Sequence, residues 1–222
     1  MKTRPLIRPG AALLGAALTA LTLTVAPALA QPASRLGKTT PMTMQQDLAT
    51  RAKAIHWPEG FNPETADLFS HNSLLIHASC ETVWGHIVDA EKWPQWYPNS
   101  KAVTLLGGAK ALGDGTTWRW TTFGLPLESQ VHEYVPYTRL GWYGYAPGAR
   151  PSFYHTWFLT PRGAGCMVVM DEAGIGKDAA HLRETDESLM HRGHDLWLAT
   201  LKWVAEGPQS DGVPSFAPPS QP

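Results

Sequence analysis

Between residues 101 and 174 the chain runs through six short strand-like segments, "KAVTLLG", "GTTWRWTTFG", "PLESQVHEYV", "RLGWYGYAPG", "SFYHTWFLT" and "GCMVVMDEAG", each bounded by turn-forming residues. Such runs predict an antiparallel meander. In "TTWRWTTF" the period of two sends Trp118, Trp120 and Thr122 to one face and Arg119, Thr121 and Phe123 to the other. The tryptophan face is the better candidate for the interior. In "SFYHTWFLT" the same alternation groups His155 with Phe153 and Trp157, opposite Tyr154, Thr156 and Phe158.

A further strand is predicted at "HNSLLIHAS", starting at residue 71, after which Ser79 can cap a helix that has Glu81 in its first turn. That helix, "CETVWGHIVDAEKW", places Val83, Trp84, Ile87 and Val88 on one face, and Pro94 then suits the first position of a second short helix that Pro98 stops. After the meander, positions 182, 189, 190, 193, 197, 201 and 204 carry the spacing of one long amphipathic helix, ended by Gly207 and Pro208. Upstream, "MTMQQDLATRAKAIHW" predicts a short amphipathic helix, while "PEGFNPETADLF" is broken by Pro58 and Pro63 and reads as an ordered wrap.

The first thirty residues change the picture. Lys2, Arg4 and Arg8 precede an apolar run ending in Ala28-Leu29-Ala30, the pattern of a cleaved signal peptide, and the run is shorter than the ~20 apolar residues of a membrane span. The expected organisation is a signal peptide over 1–30, an N-terminal extension over 31–70, one domain over 71–206 and a disordered Pro/Ser/Gly-rich tail over 207–222. The expected location is periplasmic or secreted. The leader holds three basic and no acidic residues, so the net charge of −1 becomes −4 on cleavage. This argues against nucleic acid or an anionic membrane surface as a main partner, and no stable membrane insertion is expected. Cys80 and Cys166 lack CxxC spacing, and composition alone leaves a disulfide and two buried thiols as equal alternatives.

The order strand, two short helices, six strands, long helix resembles the helix-grip fold of the SRPBCC superfamily. The likeness is carried by "IHASCETVWGHIVDAEKWPQWYPN", "LGDGTTWRW", "VHEYVPYTRLGW", "YHTWFLTPRGAGCMVVMDE" and "GHDLWLATLKWVAE". The segment "HWPEGFNPETADLFSHN" is similar to the lead-in of an exported bacterial subgroup. The resemblance implies an α+β protein in which a curved antiparallel sheet of about seven strands wraps a long C-terminal helix, with a cavity between them for an apolar ligand. It also implies that the first strand pairs with the last, which brings Cys80 near Cys166 and favours a disulfide.

Within that frame His155 and Glu172 are the candidate acid–base pair, with His194 as a second partner for His155. Trp118, Trp120, Trp142, His155, Trp157, Met190, His194 and Trp197 are the candidate ligand contacts. Trp84, Trp93 and Trp96 read as core. His191 and His194 have a spacing compatible with a metal, but no third ligand is placed by the sequence, so no metal and no cofactor is expected. Glu133, like Glu172, would be costly if buried unpaired. There is no GxGxxG, P-loop, GxSxG or HExxH motif. The leading expectation is an exported binder of a small hydrophobic or amphipathic molecule. A cyclase or dehydrase using His155 with Glu172 or His194 is the alternative, and a ligand-free interaction module ranks third. N-terminal sequencing of exported protein is expected to begin at Gln31; recovery of an intact, membrane-integral Met1 form would reject the leader.

Overall fold

A computed structural model describes residues 41–207. The expected signal peptide over 1–30, the lead-in over 31–40 and the expected tail beyond Gly207 lie outside the described residues. The elements are α1 (Met44–Thr50), β1 (Leu68–Ile76), α2 (Cys80–Val88), a 3₁₀ helix (Ala90–Gln95), β2 (Ser100–Leu105), β3 (Thr117–Thr122), β4 (Leu125–Val135), β5 (Arg139–Tyr145), β6 (Phe153–Arg162), β7 (Gly165–Gly174), α3 (Lys177–Asp186) and α4 (Leu189–Glu206). All seven strands form one antiparallel sheet in the order β1-β7-β6-β5-β4-β3-β2. This is the helix-grip α+β architecture, with α4 against one face of the sheet. Among the described residues no helix is long and apolar enough to cross a membrane.

Local chemistry explains where several elements begin and end. Ser79 accepts from Thr82 N–H at 3.1 Å and starts α2 as its sequence predicts. The second short helix departs from its prediction: it starts at Ala90 and holds Pro94 near its end instead of at its first position, and Trp96 and Tyr97 lie beyond it. Trp93 anchors this turn, because its indole N–H donates to the Ile87 carbonyl at 3.0 Å while its ring is wholly buried. Helix α1 is shorter than its apolar pattern. A reciprocal cap between Thr43 and Gln46 opens it, and it ends at Arg51, after which the Ala52 N–H turns to the Asp171 carboxylate at 3.4 Å. The first strand starts at Leu68, three residues earlier than the alternation indicates, because it pairs along its whole length with β7.

The predicted single long helix is two helices. Glu187 and Ser188 interrupt it, and the Glu187 carboxylate accepts the Met44 N–H at 3.0 Å. Leu182 on α3 packs with Leu68 and Met190, whereas Trp197, Leu198 and Leu201 on α4 join the main core. A continuous apolar period therefore serves two packing surfaces.

The main core is aromatic. Trp93 lies 5.3 Å from Trp120, 5.9 Å from Trp142 and 5.1 Å from Trp197, and it meets Trp118 edge-on at 6.3 Å. Aromatic pairs at these separations add about 0.5–1.5 kcal/mol each beyond area burial. The opposite face of the sheet is covered as well: Trp57, Phe61 and Phe69 pack around Tyr154. Gly141 makes room there, since a Cβ would stand 2.3 Å from the Tyr154 hydroxyl.

A disulfide joins Cys80, the first residue of α2, to Cys166 on β7, with Cα atoms 5.0 Å apart and 86 residues of separation. Ile76 pairs with Cys166 in the sheet, which brings the start of α2 to this position. Closing a loop of this length restricts the unfolded chain and contributes about 3–5 kcal/mol. The double substitution Cys80→Ser/Cys166→Ser is expected to lower the unfolding free energy by that amount in urea titrations followed by tryptophan fluorescence. An unchanged midpoint would show that the bond adds nothing.

Candidate functional site

The core fills only one end of the space between sheet and helix. At the other end, bounded by the β3–β4 hairpin and the α3–α4 junction, lies a cavity of about 200 Å³. Trp120, Thr122, Phe123, Leu125, Leu127 and Ser129 line it from the hairpin strands, and Trp142, Gly144 and Phe153 from β5 and β6. Leu182, Leu189, Met190 and Trp197 close the helical side. The titratable members of the wall are His155, Glu172 and His194.

These three converge because of strand register. Trp142, His155, Glu172 and Ser70 stand directly opposite one another on β5, β6, β7 and β1 and so share one face. The His155 ring stacks on Trp142 with centroids 4.4 Å apart and planes 15° apart. Its Nδ1 lies 3.1 Å from Glu172 Oε2, and His194 Nε2 approaches the same oxygen at 2.9 Å from α4. His194 Nδ1 is 2.8 Å from the Ser70 hydroxyl. His155 Nε2 is buried without a partner.

Burial pushes the His155 imidazole down to about 4, and the Glu172 hydrogen bond and charge offset this only in part. Burial acts to raise the Glu172 carboxyl, but hydrogen bonds from His155 and His194 outweigh it and hold the group below its ordinary range. At neutral pH the pair is therefore a neutral imidazole beside a carboxylate. Glu172 can then only accept, so His155 Nδ1 and His194 Nε2 carry the protons that face it.

Of the residues expected in a site, Trp120, Trp142, His155, Glu172, Met190, His194 and Trp197 are in this wall. Trp118 and Trp157 are not. Both share the inward face, but Trp93 fills the space beside Trp118, and Trp157 packs edge-on against Trp197 at 5.2 Å, so they belong to the solid part of the core. His191 does not join His194 either. It turns to Asp47 on α1 at 2.9 Å, and the third donor near His194 is Glu172 from the sheet. Glu133 is on the opposite side of the sheet, 2.7 Å from His56. Alternation sends Phe123 to the outer face, but β3 ends at Thr122 and the turn, with φ 51° at Phe123, brings its ring into the cavity wall; Ser70, Leu125 and Leu127 carry no expectation from the sequence. Extending the alternation of β1 three residues upstream would have placed Ser70; nothing local marks the hairpin as a cavity rim.

Residues 71–193, more than half of the chain, match the family described as polyketide cyclase/dehydrase and lipid transport. The chain belongs to this family and has the ligand-binding fold of the SRPBCC superfamily. A hypothetical protein of Helicobacter pylori has a similar structure, with 27% identity and a TM-score of 0.62, covering 68% of this chain and 96% of that one. The Zhui aromatase/cyclase from Streptomyces aligns at 15% identity and a TM-score of 0.51 over 65% of this chain and 98% of its own. The di-domain aromatase/cyclase StfQ of steffimycin biosynthesis aligns at 15% identity and a TM-score of 0.52 over 63% of this chain and 52% of its own. The two cyclases share the fold. No curated protein matches the chain.

The depressed His155 pKa has a definite sign. Unfolded, the imidazole takes up a proton near 6.5, and folded only near 4, so its contribution to stability is complete above 6.5 and is lost as the pH falls towards 4. The lowered Glu172 carboxyl acts in the same direction below 4.5. His191, raised chiefly by its hydrogen bond to Asp47, acts oppositely: its contribution is present below 6.5 and fades as the pH rises. The His155 ring signals are expected to stay at their neutral positions from pH 8 to about 5.5 in NMR titrations, and His155→Gln should flatten the loss of stability between pH 6.5 and 4. An imidazole titrating near 6.5 would contradict the assignment.

Proposed function

We propose that this is an exported binding protein for a small hydrophobic or amphipathic molecule held in the sheet–helix cavity, acting in the periplasm or outside the cell. The observation that carries the reading is an apolar cavity, lined by aromatic and aliphatic side chains, with one cluster of titratable groups in its wall. Apolar lining with few convergent polar groups is the usual composition of a small-molecule site. The cavity is smaller than the range of about 300–1,000 Å³ common for drug-sized ligands. A compact ring compound suits it better than a long acyl chain. The leader ending at Ala30 and the disulfide support export, since such bonds persist in oxidising compartments.

One observation favours a second reading, an enzyme of cyclase or dehydrase type. Glu172 is held between two imidazoles in a largely apolar cavity, and an ionised carboxylate beside a neutral imidazole is a competent pair for moving a proton on a bound ketone or alcohol. Here His155 or His194 would exchange the proton and Glu172 would stabilise the imidazolium that forms.

Native mass spectrometry of the protein purified from its own periplasm is expected to show a co-purifying small molecule. With that compound, His155→Ala should weaken binding by about 1–3 kcal/mol, the scale for leaving a buried polar group unpaired. If the second reading holds, the same variant keeps its affinity and loses about 10²–10⁴-fold in turnover. Trp157→Ala, outside the wall, should cost about 3–5 kcal/mol of stability and affect affinity only through the fold. A protein that binds no hydrophobic compound at all would sink both readings.

A further inference from the structure

We propose that His155, Glu172 and His194 form a binding site for a divalent transition-metal ion with zinc-like preferences. It concerns the same residues as the ligand reading but is tested with the metal alone, so the two can fail separately.

The first support is geometric. Two donor atoms bound at about 2.1 Å to one ion and 90–110° apart are themselves about 3.0–3.4 Å apart. Glu172 Oε2 is 3.1 Å from His155 Nδ1 and 2.9 Å from His194 Nε2, and one donor atom from each of the three residues falls within 4.8 Å of the other two. A spread of up to 4.8 Å must close by about 1.4 Å, shared between two side chains, to bring all three donors to a common ion. The three donors come from β6, β7 and α4, and two of them are fixed by sheet register.

The second support is the outer shell. A ligating histidine normally gives its other ring N–H to an oxygen, which fixes the tautomer. His194 Nδ1 meets the Ser70 hydroxyl at 2.8 Å, and both groups are buried. The proton balance is also simple. Without metal, Nδ1 of His155 and Nε2 of His194 hold the protons that face Glu172. On binding, each proton passes through solvent to the other nitrogen of its own ring, so that His194 now donates to Ser70 and His155 carries its proton on the unpartnered Nε2.

Two imidazoles and one carboxylate suit zinc and neighbouring divalent ions, and three protein ligands leave at least one position open. All three residues line the cavity, so that position is open to the bound molecule. A dication with a single carboxylate carries one net positive charge there. Such a centre favours a ligand presenting an anionic or enolic oxygen over a plain hydrocarbon.

The test uses the disulfide-bonded protein stripped with chelator and titrated with Zn²⁺ by calorimetry, with bound metal counted by elemental mass spectrometry and Co²⁺ as an optical probe. One ion per chain is expected, with Co²⁺ d–d bands of a four- or five-coordinate site. Glu172→Gln and His194→Gln should abolish stoichiometric binding, and Ser70→Ala should weaken it about 10–100-fold. His191→Gln, in the same helix but paired with Asp47, should leave it unchanged. Absence of stoichiometric Zn²⁺ binding overturns the proposal, and so does binding that Glu172→Gln leaves intact. Should those variants fail to fold, the wild-type protein decides alone: Zn²⁺ must shift the ring resonances of both His155 and His194, and resonances that do not move reject the site.

Discussion

Trp197 is the contact on which the remaining architecture depends. It stacks on Tyr97 at 4.4 Å with nearly parallel planes, meets Trp93 and Trp157 edge-on, and lies 5.4 Å from His155. One side chain of α4 thus ties together the 3₁₀ helix, the middle strands and the polar cluster. A helix laid on an antiparallel sheet must be held off its surface by bulky side chains, and the tryptophans do this at one end. At the other end Gly193 lets Phe123 approach, since a Cβ there would come within 2.3 Å of the ring. The cavity is what remains between a filled core and a hairpin that closes on a glycine.

Both faces of the central strands are buried, and this makes the register unusually consequential. A slip of one residue would carry His155 and Glu172 to the face occupied by Trp57 and Phe61 and bring Tyr154 and Ala173 inward. Neither face could accept the exchange. Glu172 would be drawn away from His194 on α4, and a buried carboxylate that loses a partner is costly.

The N-terminal extension contributes to the site from a distance. Helix α1 lies along the edge strand β1, where Asp47 holds His191 of α4, and the wholly buried Asp171 pairs with His71 across the β1–β7 ladder. Burial raises the Asp171 carboxyl, and the His71 hydrogen bond restrains that rise. Ser70, between these anchors on β1, is the residue that orients His194. The strap that covers the outer face and edge of the sheet therefore also fixes the inner polar cluster, because the same strand carries both sets of contacts.

Much of the fold is legible in one dimension. The six strands of the meander follow from alternation and turn residues, α2 from Ser79 and its apolar face, and the inward orientation of Trp120, Trp142 and His155 from a period of two. The pairing of His155 with Glu172 was also within reach, since adjacent antiparallel strands joined by a tight turn have little freedom in register. Other features required the folded chain. The apolar period over residues 178–206 is continuous, yet the helix breaks at Glu187 because two different surfaces receive its halves. Trp118 and Trp157 have the same alternation as Trp120 and Trp142, and only what distant elements pack beside each ring, Trp93 against Trp118 and Trp197 against Trp157, accompanies the difference between core and cavity wall. His191 and His194 look equivalent by spacing, but their partners come from residues 144 and 22 positions away. Periodicity records which way a side chain faces. What it meets there depends on which distant segment fills the space, and that is decided by packing in three dimensions.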